Sequence, residues 1–335
     1  RPSSGFSPHP HPKDTYHTGV ARLGSAPFPS SRSVRSHFPG RSKALAFGFG
    51  MIKEINFAAF KEKGKPMKTS LRLRSAVSLF FLIVAALIIV TGVNAQRGNV
   101  DWAAVSLSTH HVAGSVHYLE GQGGNIGLSV GDDGVLMIDD QFAPLSDRIR
   151  TTINGISNGD IRILINTHVH GDHTGGNANF AAMGIPILSQ DRVRARLAAT
   201  QPEAALPVMT YSEDVTVHLN GEAVHIIAMP PAHTDGDSII HFTGSDVIHT
   251  GDMFRTVAFP VIDRNNGGTL PGTIEALGLL AGMAGADTKI VPGHGVVSTR
   301  DDVIEFRDMV ITVADRVNEL VEQGRSYDEV AASDP

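Results

Sequence analysis

The strongest chemical signal in this sequence is a group of four potential metal ligands within six residues. These are His168, His170, Asp172 and His173, and they follow a short apolar run directly. In an extended backbone alternate side chains lie on the same side, so His168 and His170 can converge on one ion. Asp172 and His173 follow a turn at Gly171 and can face a second ion. Most of the 16 histidines in the chain are isolated, but this density of imidazole and carboxylate favours a metal site.

Three further segments each place a potential ligand directly after a short apolar run. The ligands are His233 in Ala-His-Thr-Asp-Gly-Asp, Asp252 in His-Thr-Gly-Asp, and His294 in Pro-Gly-His-Gly. Each segment alone is a weak signal, because a sequence such as Pro-Gly-His-Gly is more often an ordinary turn. Together they predict ligands at the ends of several strands, which can meet at one edge of a sheet. Neighbouring glycines allow the sharp turns that a crowded site requires: Gly251, Gly293 and Gly295.

Short strands and helices alternate through the part of the chain that must position these ligands. Apolar runs bounded by Gly, Asp and Asn predict strands at 127–130, 134–138, 161–165, 224–228, 238–242, 246–249 and 289–291. Apolar residues at helical spacing predict helices at 143–156, 177–183, 191–199, 273–284 and 301–323, with another helix starting near Tyr327 where the sequence stops. Mixed elements without an internal repeat favour an α/β layered domain.

The order of these motifs is that of a known family. H-x-H-x-D-H, A-H-T-x-G-D, G-D and P-G-H-G resemble the motifs of the metallo-β-lactamase superfamily, and the resemblance covers roughly residues 112–299. It implies an α/β fold, the four-layer αββα metallo-β-lactamase sandwich. It also implies an acidic residue after an early strand that supports the metal-binding loop without binding metal. Asp139 is the expected residue, with Asp140 as the alternative.

The resemblance implies a dinuclear zinc site whose ligands can be assigned residue by residue. One zinc ion is expected on three imidazoles: His168, His170 and His233. The second is expected on three mixed ligands: Asp172, His173 and His294. Asp252 would bridge the two ions. The implied function is a zinc-dependent hydrolase that activates water to attack the carbonyl of an ester, thioester, lactone or β-lactam, with Asp172 orienting the nucleophile or carrying its proton.

Other functions on the same fold stay open. Lactamases with a cysteine ligand are excluded, because the chain has no Cys and Asp252 occupies the corresponding position. A β-lactamase of the all-His/Asp type is compatible with the sequence, and Arg255 could anchor a substrate carboxylate or serve in a salt bridge. An iron-dependent oxidoreductase of sulfur or oxygen compounds is the alternative from another class, although flavin-linked di-iron relatives carry Glu where this chain has His170. A third alternative is a metal-binding module without catalysis.

Two further predictions concern the choice of metal and a glycine-rich segment. Zinc is preferred for an imidazole-rich set of ligands, while iron and manganese stay open. The segment Gly123-Gly124-Asn125 could shape the pocket or an oxyanion site, although turn formation is the commoner use of these residues.

Charge is distributed very unevenly along the chain. Residues 96–335 hold 14 of the 28 basic side chains but 31 of the 34 acidic ones. Such an acidic body disfavours nucleic acid as a partner, because nucleic-acid binding draws on clustered Lys and Arg. A small-molecule substrate is therefore expected, and nothing in the sequence indicates an oligomeric state.

The N-terminal third has the features of an export signal. Residues 67–95 combine a basic start, an apolar run and small residues at a cleavage position after Ala95, which predicts a signal peptide. An uncleaved membrane anchor is the alternative. Residues 1–66 lack hydrophobic periodicity, and they are interpreted as a disordered leader upstream of the true start at Met67. The hydrolase domain is then predicted over 96–335, in a periplasmic or secreted protein that contacts a membrane only through its signal segment.

Overall fold

A computed structural model of the chain describes residues 100–335. The predicted leader at 1–66 and the predicted signal peptide at 67–95 lie outside the described residues, as does the start of the domain predicted over 96–335. The described part is built on two β-sheets, one of seven strands and one of five. Within 100–335, no helix combines the length and apolar character needed to cross a membrane.

The first sheet contains seven strands that follow one another in sequence order. They are Ser108–Ala113 (β1), Val116–Glu120 (β2), Ile126–Gly131 (β3), Gly134–Ile138 (β4), Ile161–Asn166 (β5), Ile187–Gln190 (β6) and Met209–Tyr211 (β7). Strands β1 to β4 form an antiparallel meander, whereas β4 to β7 run parallel to one another. Because parallel strands end at the same edge of a sheet, the residues after β4 and β5 lie close together.

The second sheet has the strand order β12-β11-β10-β9-β8. Its strands are Asp214–Leu219 (β8), Glu222–Ala228 (β9), Ser238–Phe242 (β10), Val247–His249 (β11) and Lys289–Val291 (β12). Strands β8 to β11 are antiparallel, and β12 is parallel to β11. Strands β9, β11 and β12 therefore run in the same direction, so the loops that follow them share one edge.

Seven α-helices connect and cover the sheets in the described part of the chain. They are Ser146–Asn154 (α1), Gly171–Thr174 (α2), Asn177–Ala182 (α3), Asp191–Leu197 (α4), Leu270–Met283 (α5), Arg300–Glu322 (α6) and Tyr327–Ala332 (α7). The longest, α6, begins with a capping box in which the side chains of Thr299 and Asp302 each bond to the other residue's backbone N–H. This arrangement satisfies two of the donors that a helix start leaves free.

Three hydrophobic layers hold the elements together. Between the sheets, Ile138 and Ile165 belong to the same buried cluster as Ile226 and Ile240 of the second sheet. On the outer face of the first sheet, side chains of α1 and α3 are buried against strand residues such as Met137. Helices α5 and α6 cover the outer face of the second sheet in the same way. The order is helix, sheet, sheet, helix, so the predicted four-layer αββα fold is confirmed.

Every strand and helix predicted from the sequence has a counterpart within a few residues of its predicted bounds. Five further strands were not predicted, namely β1, β2, β6, β7 and β8. Strand β8 has no fully buried residue and β7 has three residues in all, so neither carries a clear apolar run. Strand β6 ends in Ser189 and Gln190, which are buried although they are polar.

Candidate metal centre

All seven predicted ligands lie at one edge of the sandwich. His168 and His170 follow β5, and helix α2 immediately afterwards carries Asp172 and His173. The other three follow strands of the second sheet: His233 after β9, Asp252 after β11 and His294 after β12. The sandwich fold thus gathers side chains that are more than 120 residues apart in the sequence.

The ligands form two groups. The ligand atoms of His168, His170 and His233 lie within 4.8 Å of one another. Those of three further residues satisfy the same limit: Asp172, His173 and His294. These are the two sets that the family resemblance implied.

Asp252 lies between the two groups. Its Oδ1 atom is 3.2 Å from His173 Nε2 and 3.3 Å from His294 Nε2. Its Oδ2 atom is 3.8 Å from His233 Nε2 in the other group. Its two oxygens therefore face different groups, as the family resemblance implied for this residue.

Asp139 holds the loop that carries the first ligands. Its Oδ1 accepts the backbone N–H of Thr167 at 2.8 Å, and its Oδ2 accepts the Thr167 hydroxyl at 2.7 Å. The same Oδ2 accepts the Nδ1–H of His173 at 2.7 Å. Asp139 has a φ of +60°, in the left-handed region that non-glycine residues seldom adopt. Its oxygens also lie near His168 and His173, but these hydrogen bonds occupy them, so the supporting role expected for Asp139 fits.

Asp140, the alternative for that role, bonds elsewhere. Its Oδ1 accepts the backbone N–H of Gly176 at 2.8 Å. Burial raises the pKa of its carboxyl well above the ordinary value. The side chain therefore supports the turn after α2.

The hydrogen bonds of the ring nitrogens leave lone pairs directed at the centre. The Thr167 hydroxyl donates to Asp139, so at 2.9 Å it accepts the Nδ1–H of His168. The Nε2 atom of His168 is then an acceptor, and it is buried with no hydrogen-bond partner among the described residues. His173 likewise donates from Nδ1, so its Nε2 is the ring nitrogen that faces Asp252 and His294. His233 donates from Nδ1 to the carbonyl oxygen of Val261 at 2.6 Å, so its Nε2 is also free to bind metal.

The charges at the centre favour added positive charge. Burial opposes protonation of His173, but the Asp252 and Asp139 carboxylates raise its pKa well above the ordinary value. Burial also opposes protonation of His294, but the Asp172 and Asp252 carboxylates raise its pKa to about 9. In contrast, burial and the neighbouring imidazoles hold the pKa of His168 well below its ordinary range, so this ring is neutral and can donate a lone pair.

These observations fit a divalent metal. Asp252 Oδ1, like His168 Nε2, is buried without a hydrogen bond of good geometry, and leaving such atoms unpaired costs about 1–3 kcal/mol each. A cation coordinated by these atoms would offset that cost. The set is rich in imidazole nitrogen with two carboxylates, which is the chemistry that zinc prefers.

Glycine is required where backbone and ligands approach most closely. A Cβ on Gly293 would overlap Asp252 Oδ1, and a Cβ on Gly124 would overlap the ring of His173. Gly251 has a φ of +52°, so the turn that carries Asp252 uses the left-handed region. The sharp turns expected beside the ligands are therefore present.

The glycine-rich segment 123–125 and Arg255, both noted in the sequence, lie beside the predicted ligands. The amide of Gly124 donates to the Asp172 carbonyl oxygen, and the Asn125 side chain donates to Pro292 and Gly295 carbonyl oxygens. These donors serve the turn and are not free for an oxyanion. The backbone of Arg255 forms an isolated parallel β-bridge with that of His294. The Arg255 Nε atom is buried without a hydrogen-bond partner among the described residues.

Two contacts at the centre were not predicted. His170 Nε2 lies 2.8 Å from Asp263 Oδ2, and the Val261 carbonyl oxygen accepts from His233. Both partners belong to the loop between β11 and α5, whose path no motif spacing determines. Thr167 directly precedes the His-x-His motif, but nothing in the sequence indicated that it would link Asp139 to His168.

The comparison with protein families decides the identity of this fold. The family model described as the metallo-beta-lactamase superfamily matches residues 119–294, which is more than half of the chain. The chain belongs to the metallo-β-lactamase superfamily. The matched range runs from β2 to His294 and so includes all seven predicted ligands.

Solved members of the superfamily have the same fold at low identity. A metallo-β-lactamase from Pontibacter korlensis is 15% identical, with a TM-score of 0.55 over 61% of this chain and 99% of that chain. The DIM-1 metallo-β-lactamase is 13% identical, with a TM-score of 0.55 over 62% of this chain and 99% of that one. At these identities the likeness concerns the fold alone.

A curated relative is similar over part of its length. The alpha subunit of 2,4-dinitroanisole O-demethylase from Nocardioides sp. (strain JS1661) is 28% identical over 137 residues. The match covers 38% of this chain and 42% of that protein, so the chain spans less than half the length of this relative.

Proposed function

We propose that this superfamily member is a metal-dependent hydrolase that uses water to cleave a small molecule at a carbonyl carbon. Esters, thioesters, lactones and β-lactams are the substrate classes that we propose. The observation that carries the proposal is the convergence of imidazole lone pairs and the Asp252 carboxylate on one centre. Because nitrogen ligands predominate, we propose zinc as the metal, with two ions per chain.

Each of the proposed ligands has a defined place in this scheme. His168, His170 and His233 would hold one ion, and Asp252 would contact both. The second ion would be held by the mixed group: Asp172, His173 and His294. Bound there, the metal pair would lower the pKa of a water molecule to near neutrality and polarise the substrate carbonyl.

Asp172 is the residue that we propose to act on the attacking water. Its side chain is 30% exposed, whereas that of Asp252 is 6% exposed, so Asp172 lies on the open side of the centre. Its Oδ2 atom is 3.2 Å from His294 Nε2, which fixes the direction of the carboxylate. From this position Asp172 would orient the water and accept its proton.

The segment after Arg255 would bind the substrate. It runs from beside His294, where Arg255 pairs, to Val261, whose carbonyl oxygen holds His233. Val257 and Phe259 between them are 59% and 72% exposed. Arg255 would contact an anionic group of the substrate, and the apolar side chains would contact a hydrophobic part.

A second candidate function comes from the name of the curated relative, an O-demethylase of 2,4-dinitroanisole. By analogy, the same water-activating centre would cleave an activated aryl methyl ether. Addition of water to 2,4-dinitroanisole would give 2,4-dinitrophenol and methanol. An oxidative demethylation would instead consume oxygen and a reductant and release formaldehyde, so the one-carbon product distinguishes the two routes.

The test is a substrate panel assayed with enzyme of known metal content. Nitrocefin, thioesters, lactones and 2,4-dinitroanisole are each incubated with the zinc-loaded wild type and with His170→Ala. His225→Ala is the matched control, because His225 is an exposed histidine on β9 outside both ligand groups. We expect His170→Ala to lower kcat/KM at least about a hundredfold for any substrate turned over, since loss of a ligand disrupts water activation. The control is expected to behave as the wild type.

Three results would contradict the proposal. Near-wild-type activity of His170→Ala would show that the centre does not carry the reaction. Bound zinc without turnover of any substrate in the panel would favour a metal-binding module. Bound iron with oxygen consumption and no hydrolysis would favour the oxidoreductase alternative.

A further inference from the structure

A neutral His170 ring can carry its proton on either nitrogen, and one of the two placements prevents metal binding. Its Nδ1 atom lies 2.8 Å from His233 Nε2. His233 already donates from Nδ1 to Val261, so its Nε2 is an acceptor. A proton on His170 Nδ1 would therefore make a hydrogen bond to His233 and occupy both nitrogens. A proton on His170 Nε2 would leave both lone pairs free.

Asp263 selects the second arrangement. Its Oδ2 atom lies 2.8 Å from His170 Nε2. A carboxylate can accept but cannot donate, so this contact requires the proton to be on Nε2. We propose that Asp263 is a positioning residue that holds the proton of His170 on Nε2 and thereby keeps the His170–His233 pair open for metal. The inference depends on the metal binding proposed above, but not on which reaction follows.

The Asp263 carboxylate is itself fixed in place. Its Oδ1 accepts the backbone N–H groups of Asn265 and Asn266 at 2.9 and 3.2 Å. Its Oδ2, in addition to His170, accepts the side-chain amide of Asn266 at 2.7 Å. These three hydrogen bonds from one turn fix the orientation of the carboxylate, with Oδ2 facing His170.

Arg196 on α4 supports the turn from outside. Its Nη1 donates to the Asn266 side-chain oxygen and to the Asn265 carbonyl oxygen, each at 3.2 Å. The guanidinium is held by Asp235, whose carboxylate accepts from Nε and Nη2 at 2.6 and 2.7 Å. With its oxygen bound by Arg196, the Asn266 amide presents its NH₂ group to Asp263. The contacts form a chain from Arg196 through Asn266 and Asp263 to His170.

Asp263 also caps the 3-10 turn at Arg264–Asn266, and this local role must be separated from the proposed one. Asparagine caps helical turns about as well as aspartate. In Asp263→Asn the side-chain oxygen would stay on the two backbone donors, and the NH₂ group would face His170. The cap is retained, while the acceptor for His170 Nε2 and for the Asn266 side-chain amide is lost. His170 would then shift its proton to Nδ1 and close on His233.

The experiment measures the His170 proton directly in the metal-free full chain. Long-range proton–nitrogen NMR of ¹⁵N-histidine-labelled protein distinguishes the two neutral tautomers from each other and from the doubly protonated ring, because the two ring nitrogens are distinct. The His170 signals are identified by their loss in His170→Ala. We expect an Nε2–H tautomer in the wild type and an Nδ1–H tautomer in Asp263→Asn. Asp101→Asn is the matched control, because the Asp101 carboxylate also accepts a backbone N–H two residues ahead.

Zinc affinity and thermal stability complete the test. We expect Asp263→Asn to weaken zinc binding about 10–100-fold in competition with a chromophoric chelator, which is typical for loss of a partner of a metal-binding histidine. The melting temperature of the metal-free protein should change little, because the cap is kept. An unchanged tautomer, or unchanged zinc affinity, would overturn the inference. If the wild type bound no zinc, the proposed function would fail, while the NMR result would still decide whether Asp263 sets the tautomer.

Discussion

Asp139 Oδ2 accepts the Nδ1–H of His173 at 2.7 Å, and both side chains are completely buried. Because the carboxylate also holds Thr167, one residue after β4 fixes two points of the loop after β5. A bond of this type sets the tautomer of a metal-binding histidine and increases its basicity. The geometry of the centre therefore depends on a residue that we do not expect to bind metal.

Replacing Asp139 by Asn should damage the centre more than the fold. An amide NH₂ in place of Oδ2 would face the donors of Thr167 and His173, which leaves buried donors unpaired at a cost of about 1–3 kcal/mol. We expect a loss of zinc affinity of about 10–100-fold and a lower melting temperature. Both are measured by chelator competition and thermal denaturation. Asp246→Asn is the control, since Asp246 accepts the Thr288 hydroxyl just before β11, away from the ligand edge; equal losses in both variants would speak against a specific role of Asp139.

Gly293→Ala should disturb Asp252 through a steric conflict. The added Cβ would overlap Asp252 Oδ1 and the backbone of Gly251, and that backbone cannot move aside as a flexible side chain could. We expect less metal per chain and loss of most activity, measured by elemental analysis and substrate turnover. Gly282→Ala in α5 is the control, because a Cβ there meets nothing within 4 Å and Ala favours helix by up to about 1 kcal/mol. Full metal content in Gly293→Ala would contradict the described turn.

Phe259→Ser should change substrate binding without changing the metal centre. Phe259 is 72% exposed on the segment between the two ligand groups, so its ring is available to a hydrophobic part of the substrate. We expect KM to rise about tenfold for apolar substrates, as expected for loss of one buried aromatic contact, with kcat and metal content unchanged. Val321→Ser on α6, with 57% exposure, is the control. An unchanged KM would exclude this segment from the binding surface.

The ligand cluster could be predicted because its signal is local. Four ligand types within six residues stand out in any sequence, and the three single ligands gain meaning because each follows a strand. The central strands were predictable for a related reason, since burial on both faces gives β4 a continuous apolar run. The predicted ligands then meet at one edge, because the strands that precede them end there.

The partners of the ligands could not be predicted in the same way. Asp263 and Val261 reach His170 and His233 through a loop with two 3-10 turns, and its path depends on contacts with Arg196 from a distant helix. A backbone carbonyl such as that of Val261 has no sequence signature at all. The strands β1 and β8 were not predicted for another reason, because their side chains are exposed or half-buried and none is fully buried.

The central claim is tested most directly by the metal content of the purified protein. The chain is stripped with a chelator, dialysed against zinc and measured by elemental analysis against protein concentration. The account predicts about two zinc ions per chain, and about one in His294→Ala, where the three-imidazole group is intact. The account would be contradicted if the wild-type protein retained neither zinc nor any other divalent metal offered in its place.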